Sequence, residues 1–183
     1  MRIFLLVLVG FGGFLSGAQA QGLAIGPAVP LVTYKDTVNH FEMRVPRGWF
    51  LGIEKEGISP KKLFMFRHDS TDHPYEHFMF EVDTRKNSTL AVEEGRLEAA
   101  LRATNDFDLQ EKGSVTVSGL RWIWFVETHQ RIRLYNTRGP EVNYEFVAYR
   151  HGKTYVLTFS ATPESFPKYR GVYDQVMRSL VLD

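Results

Sequence analysis

The fold of this chain is decided by residues 142–161, which read VNYEFVAYRHGKTYVLTFSA. Apolar and polar side chains alternate on either side of His151-Gly152, as is typical of β-strands that turn one face toward a core. Glycine adopts positive φ without strain, so this dipeptide suits a two-residue hairpin turn. The pattern therefore predicts two antiparallel strands, over 142–150 and 153–161.

Working outward from this hairpin, similar alternation predicts strands over 40–45, 62–68, 77–83, 109–117 and 120–133. Several strands are apolar on both faces: Trp122 and Trp124 alternate with Ile123 and Phe125. A sheet that is apolar on both faces has to be covered on both. Because the predicted helices do not simply alternate with strands, we predict an α+β fold, a three-layer α/β/α sandwich with a mainly antiparallel central sheet.

Two segments have the spacing of amphipathic helices. The first begins near 87–89 and carries an apolar stripe that includes Leu90, Leu97 and Leu101. The second begins near Ser165, which is a good helix-capping residue, and continues to Leu180. Pro163 or Pro167 is expected in its first turn, where proline is well tolerated.

The N-terminus resembles a secretory signal. Arg2 supplies a positive charge, residues 3–15 are largely apolar, and Ala18-Gln19-Ala20 has the small-x-small pattern of a cleavage site. The apolar stretch is shorter than the ~20 residues of a membrane-spanning helix. We therefore expect a signal peptide over 1–20, a flexible lead-in over 21–30, one domain over 31–183, and a periplasmic or secreted protein with no stable membrane span after cleavage.

Composition narrows the class of partner. The chain has no cysteine, so its stability depends on packing and not on disulfides. It carries 22 Lys and Arg residues and 21 Asp and Glu residues. Removal of the signal peptide takes away Arg2, so the mature chain has equal numbers of basic and acidic residues. Nucleic-acid binding needs a surplus of basic residues on one face, so this balance argues against a nucleic-acid partner.

One segment, residues 67–77, concentrates groups that bind metals: it reads RHDSTDHPYEH. If a hairpin pairs His68 with His77, their Cβ atoms lie ~5 Å apart across the strands. Asp72 or His73 from the loop can then complete a zinc-type site, since imidazole and carboxylate are suitable ligands. The alternative is a solvated loop, because a register slip of one residue pairs His68 with Glu76 and dissolves the site. Zinc or another divalent metal is the one cofactor candidate.

Other groups favour structural roles. Trp122 and Trp124 can line a ligand groove, but alternation along a strand favours the core. A cluster of arginines can hold an anion or can protect a sheet edge. It consists of Arg131 and Arg133 on one strand face, with Arg121 and Arg138 expected near them. The sequence has no Gly-x-Ser-x-Gly elbow and no glycine-rich phosphate loop. No catalytic residue is predicted.

Two stretches resemble the PsbP-like superfamily, which includes the bacterial DcrB-type exported proteins. Residues 34–36 and 41–49, with the segment FEMRVPRGW, resemble its opening strand and P-x-G-W turn. The hairpin around His151-Gly152 and the helix ending near Leu180 resemble its closing pattern. The resemblance implies an α/β/α sandwich and roles in docking to other molecules, with no catalytic motif to transfer.

From these observations we expect an exported, non-catalytic PsbP-like domain that binds a protein or cell-envelope partner. The alternative is a metal-binding protein or metal-dependent hydrolase centred on His68, His73 and His77. A third hypothesis is a small-molecule carrier with an aromatic groove lined by Trp122 or Trp124.

Overall fold

A computed structural model describes residues 30–53, 61–68, 76–83, 107–132 and 138–183, together with the helical positions Ala91, Val92, Gly95 and Ala99. Its strands are β1 (Leu31–Asp36), β2 (Phe41–Pro46), β3 (Trp49–Ile53), β4 (Lys61–His68), β5 (His77–Asp83), β6 (Phe107–Val117), β7 (Leu120–Ile132), β8 (Arg138–Arg150), β9 (Lys153–Ala161) and β10 (Val181–Leu182). The helix α1 spans Phe166–Arg178.

The strands form two sheets. The larger has seven strands in the order β3-β4-β5-β9-β8-β7-β6, and every pair in it is antiparallel. The smaller has three strands in the order β1-β2-β10. The sequence predicted one central sheet, whereas the structure turns the chain at 47–48 and places Trp49 in the other sheet from Phe41. The antiparallel α+β fold is as predicted.

The β8–β9 hairpin forms where the sequence predicted it, with Arg150 opposite Lys153. His151 and Gly152 both have positive φ, 50° and 78°, which is the backbone of a tight turn whose twist matches the strands. The hairpin lies at the centre of the seven-stranded sheet, because β9 also pairs with β5 and β8 with β7. It therefore joins the two halves of the sheet.

We call the side of the seven-stranded sheet that packs against α1 the helix face. Its core is largely aromatic, and the three-stranded sheet covers part of it, with the Phe41 and Phe80 rings 4.7 Å apart. The largest side chains that are fully buried in this core are Trp122, Trp124, Tyr144, Tyr173, Phe41, Phe66, Phe78, Phe80, Phe146 and Phe159. Burial of so many rings supplies the stability that a chain without cysteine needs.

The opposite side, which we call the second face, has a smaller apolar cluster of Ile123, Phe125 and Val147, all buried. The sheet is thus apolar on both faces, as the sequence indicated. Helical positions between β5 and β6 agree with the predicted first helix. A helical layer over this second face stays a prediction, as do the signal peptide and lead-in, which lie outside the described residues.

Candidate functional site

An open cleft of about 460 Å³ lies where the start of α1 crosses the edge of the seven-stranded sheet. Its lining comes from β6, β7, β8 and the segment that leads into α1: Gln110, Glu111, Val126, Thr128, Val142, Pro163, Phe166, Pro167 and Arg170. Val126 and Val142 are buried and form an apolar floor. Concave, mostly apolar surfaces with a few fixed polar groups are the usual form of binding sites.

A turn before the helix sets the position of this cleft. Ser165 occupies the helix N-cap, but its hydroxyl accepts a hydrogen bond from the Thr162 backbone N–H, at 3.2 Å, and makes no side-chain cap bond to the helix. The Thr162 carbonyl in turn accepts from the backbone N–H of Phe166, at 2.8 Å. Pro167 then falls in the first turn, as predicted. This turn fixes the helix start over the sheet.

An ion pair closes one side of the cleft. The Nη1 and Nη2 atoms of Arg170 donate to the two carboxylate oxygens of Glu111, each at 2.7 Å. The guanidinium also lies over the rings of Tyr144 and Phe166, with its carbon 5.5 and 5.9 Å from their centroids. Bidentate and stacked arginines are held in a single geometry. The hydrogen bond from Arg170 keeps the pKa of Glu111 below its ordinary value of 4.5.

A bulge in β6 brings Glu111 to this position. The register of β6 and β7 shifts between Leu109 and Glu111, which leaves Gln110 as the extra residue. Bulges redirect side chains next to sites at sheet edges. The side-chain amide of Gln110 donates to the Asp108 carboxylate at 2.6 Å, outside the pair.

Behind the ion pair, the Tyr144 hydroxyl donates to the Asp174 carboxylate at 3.1 Å. Burial is the main cause that raises the pKa of Tyr144 far above its ordinary value, and Asp174 raises it further. The hydroxyl therefore stays protonated and serves as a hydrogen-bond donor. It does not act as a base or a nucleophile at physiological pH.

The other flank of α1 holds a buried carboxylate. Glu76, just before β5, is 1% exposed, and no described residue forms a hydrogen bond with either of its carboxylate oxygens. Its charge raises the pKa of Tyr169 and Tyr173, although burial is the larger cause in both. Trp49 lies close by, with its ring centroid 6.3 Å from that of Tyr169.

A row of polar side chains crosses the second face. The Ser160 hydroxyl donates to the side-chain oxygen of Asn143 at 2.8 Å, and the Asn143 amide donates to Glu127 at 3.3 Å. All three residues are buried, and His77 is the residue opposite Ser160. Because the Ser160 proton is directed to Asn143, this row has the arrangement of a satisfied buried network and not of an activated nucleophile.

The histidine hypothesis depended on a cross-strand pair that the structure does not form. The residue opposite His77 is Arg67, not His68, so the predicted pairing of His68 with His77 is wrong. This register differs by one residue from the pairing that the zinc-type site needs. Asp72 and His73 lie outside the described residues. Within the described ranges, no three His, Cys, Asp or Glu residues come together in a way that could hold a metal ion.

The other sequence candidates also separate. Trp122 and Trp124 are 0% and 2% exposed and belong to the core, so neither lines an open groove. Arg121 lies opposite Thr116 at one end of β7, whereas Arg131 lies opposite Gly139 near the other end. At ~3.3 Å per residue the two arginines are far apart. Arg138 lies opposite Ile132 and so stays near Arg131 in the register, and Arg133 lies outside the described residues.

Sequence reasoning missed the cleft residues Glu111 and Arg170. They come from an edge strand and a helix that are distant in the chain, and no local pattern links them. The one sequence signal was the helical spacing from Phe166 to Arg170, which places both residues on one side of α1.

Comparison with known proteins places this fold. The chain matches no protein-family model, and no curated protein matches it at significant sequence similarity. Among solved structures, it is similar to the cyanobacterial PsbP (CyanoP) of Synechocystis, with a TM-score of 0.61 and 15% identity over 93% of this chain and 100% of that one.

Among the described residues, no helix has the length and apolar character needed to cross a membrane.

Two further solved structures are similar. The Pseudomonas aeruginosa protein PA94, of unknown function, has a TM-score of 0.56 and 17% identity over 84% of this chain and 97% of that one. The Ran-binding protein Mog1p of Saccharomyces cerevisiae has a TM-score of 0.56 and 10% identity over 85% and 96%. These likenesses confirm, at the level of the fold, the resemblance expected from the sequence.

Proposed function

Because the chain has the fold of PsbP-like proteins, we propose that it is an exported, non-catalytic domain that binds a protein partner in the cell envelope. The partner contributes an extended segment to the edge of β6 and places an apolar side chain in the cleft beside α1. The observation that carries this proposal is the open cleft next to the last strand of the sheet.

The edge of β6 suits such a segment. β6 is an 11-residue strand and ends the strand order of the larger sheet, so β7 is its one neighbour among the described strands. An edge strand presents backbone N–H and C=O groups to which another chain can add a strand. Leu109 is 38% exposed on this strand, next to the bulge at Gln110. The bulge restricts strand addition to the part of β6 beyond it.

The charges of the cleft define the side chain that it accepts. Glu111 and Arg170 neutralise one another through two hydrogen bonds, so the cleft presents little net charge. Its floor is apolar, and its opposite wall is formed by Pro163, Phe166 and Pro167. A charged side chain would be desolvated here without a free counter-charge. We therefore expect an uncharged aliphatic or aromatic residue of the partner in the cleft.

The structural comparisons support a binding role. Mog1p, which has the same fold, is described as Ran-binding, so this architecture is compatible with recognition of a protein. The apolar and charged character of residues 1–20 supports export, and the balanced charge of the remaining chain supports a protein partner over nucleic acid.

Site-specific photo-crosslinking in the native cell envelope tests this proposal. A photoreactive phenylalanine replaces Gln110 at the mouth of the cleft, and the control replaces Val38, which is 75% exposed between β1 and β2 in the smaller sheet. We expect one discrete adduct from position 110 and none from position 38. An excess of unlabelled wild-type protein should suppress the adduct, and an excess of Thr128→Trp protein, whose cleft is filled, should not.

Equal adducts from both positions, or suppression by the Thr128→Trp protein, would contradict docking at the cleft. A reproducible turnover by the purified domain that is lost in Arg170→Lys or Glu111→Gln would contradict the non-catalytic role. Circular dichroism of each variant establishes that the fold is retained.

A further inference from the structure

The carboxylate of Glu76 lies in an environment that is costly for an unpaired charge. The residue is 1% exposed, and both carboxylate oxygens lack a hydrogen-bond partner among the described residues. Removing a carboxylate from water without a compensating donor is among the most unfavourable arrangements in a protein interior. A ligand that carries positive charge would supply such a carboxylate with a counter-charge.

The surroundings of Glu76 are aromatic. The Tyr169 and Tyr173 rings stack with centroids 6.1 Å apart, and the Trp49 centroid lies 6.3 Å from that of Tyr169. The Tyr169 ring already attracts a cation of the chain itself: the Lys168 ammonium lies over one of its faces, 5.3 Å from the centroid. Aromatic faces attract organic cations, and a nearby carboxylate adds direct charge attraction.

The position of Glu76 at a strand end bears on how a ligand would approach its carboxylate. Glu76 immediately precedes the first residue of β5, so it lies at an end of the seven-stranded sheet and not in its middle. Tyr169 is partly buried, whereas Trp49 is 9% exposed and belongs to the core. Tyr169 therefore marks the side from which a slender cation with an apolar stem would approach the carboxylate.

We propose that Glu76, Trp49 and Tyr169 form a binding site for an organic cation, namely the ammonium or guanidinium group of a lysine or arginine side chain. The carboxylate pairs with the charged head, and the rings pack against the head and its methylene stem. The site lies on the opposite flank of α1 from the cleft. It goes beyond the proposed function, because neither Gln110 nor Arg170 takes part in it.

The test uses butylguanidinium and butylammonium as probes, with neutral butanol for comparison, in calorimetric and NMR titrations of the wild-type protein. We expect saturable binding of both cations and none of butanol. Glu76→Gln preserves the shape of the side chain and should weaken cation binding about tenfold or more, since it removes the charge. Asp108→Asn, which removes an exposed carboxylate from β6, should leave binding unchanged.

Stability of the ligand-free protein gives a second, independent readout. If Glu76 is held for a ligand, Glu76→Gln removes an uncompensated buried charge and should raise the Tm. If another residue of the fold pairs with the carboxylate, the same substitution should lower the Tm. A lower Tm would overturn the proposal.

Absence of saturable cation binding by the wild type, or equal binding by Glu76→Gln, would also overturn it. Tyr169→Leu provides a further variant in case Glu76→Gln does not fold, and it should weaken cation binding while the carboxylate stays in place. Crosslinking at position 110 does not depend on Glu76, so failure of this site and failure of the proposed function are distinguishable.

Discussion

At the scale of single residues, Gly113 shows how a packed side chain limits the residue type at the position opposite it. A Cβ atom at position 113 would lie 2.5 Å from Cζ2 of Trp124, closer than any real contact. Gly113 and Trp124 are opposite one another on β6 and β7, and the indole lies directly over the glycine. Glycine within a strand often marks such a close approach. The buried Trp124 therefore requires glycine on the neighbouring edge strand.

We predict that Gly113→Ala lowers the free energy of unfolding by about 1–3 kcal/mol, because the added methyl group has to displace a fully packed ring. Urea unfolding followed by tryptophan fluorescence measures the change. Gly95→Ala is the matched control: Gly95 is helical and exposed, and a Cβ there meets nothing within 4 Å. It should be neutral or gain up to about 1 kcal/mol from helix propensity. Equal effects in the two variants would contradict this account.

The register of β4 and β5 marks the limit of prediction at this scale. Alternation along the sequence correctly indicated both strands, but it is compatible with neighbouring registers, and a shift of one residue separates His68 from His77. Register depends on how both faces pack against distant elements. A pattern read along one strand does not contain that information.

At the scale of elements, α1 is fastened to the sheet at both ends. Near its start, Arg170 bonds Glu111 on β6. Beyond its end, the Ser179 hydroxyl accepts from the backbone N–H of Arg44 on β2, at 2.8 Å. The central contact is Tyr173, which is fully buried and donates to the Ser160 carbonyl at 3.2 Å. These links hold the cleft open between fixed walls.

The Glu111–Arg170 pair gives α1 a pH-dependent contribution to stability. Because the folded-state pKa of Glu111 is lowered, the contribution is present above its ordinary value of 4.5 and is lost as the pH falls through the lowered value. Glu111→Gln should therefore lower the free energy of unfolding at pH 7 by about 1 kcal/mol or less after solvent screening, and the Tm falls with it. The difference from the wild type should shrink as the pH drops below 4.5.

Thermal melts across this pH range provide the measurement. Glu42→Gln is the control, because its 3.6 Å pair with Lys35 is exposed on both sides and should contribute little at any pH. A Tm difference for Glu111→Gln that stays constant with pH would show that the ion pair is not its cause.

The sequence predicted some elements and not others for a physical reason. The β8–β9 hairpin and α1 rest on local patterns, a turn dipeptide and a helical apolar stripe, and both form as expected. The three-stranded sheet was missed because its third member, β10, has only two residues, Val181 and Leu182. The cleft was missed because its ion pair joins a bulged edge strand to a helix. Contacts between residues that are distant in the chain produce no periodic pattern in the sequence.

At the scale of the whole molecule, folding depends on the core, whereas the export that we propose depends on the N-terminus. The core packs without a disulfide, so the domain needs no oxidising compartment in order to fold. Export rests on the sequence of residues 1–20 alone, which makes it directly testable.

We predict that the protein recovered from the producing cells begins at Gln21, since signal peptidase cleaves after a small-x-small pattern such as Ala18-Gln19-Ala20. Mass spectrometry of the intact protein and its N-terminal peptide measures this. Ala20→Arg should block cleavage and retain the precursor at the membrane. A wild-type protein that keeps Met1 and stays in the cytoplasmic fraction would exclude export.

The ladder between β5 and β9 has a consequence for how fast the native state is reached. His77 pairs with Ser160, so two strands distant in the chain must meet before the middle of the larger sheet is complete. Closing a long segment costs entropy before any contact repays it, and domains rich in such pairings fold in milliseconds to seconds. For the export that we propose, slow folding would keep a newly made chain threadable for longer and so favour its passage through a narrow translocation channel.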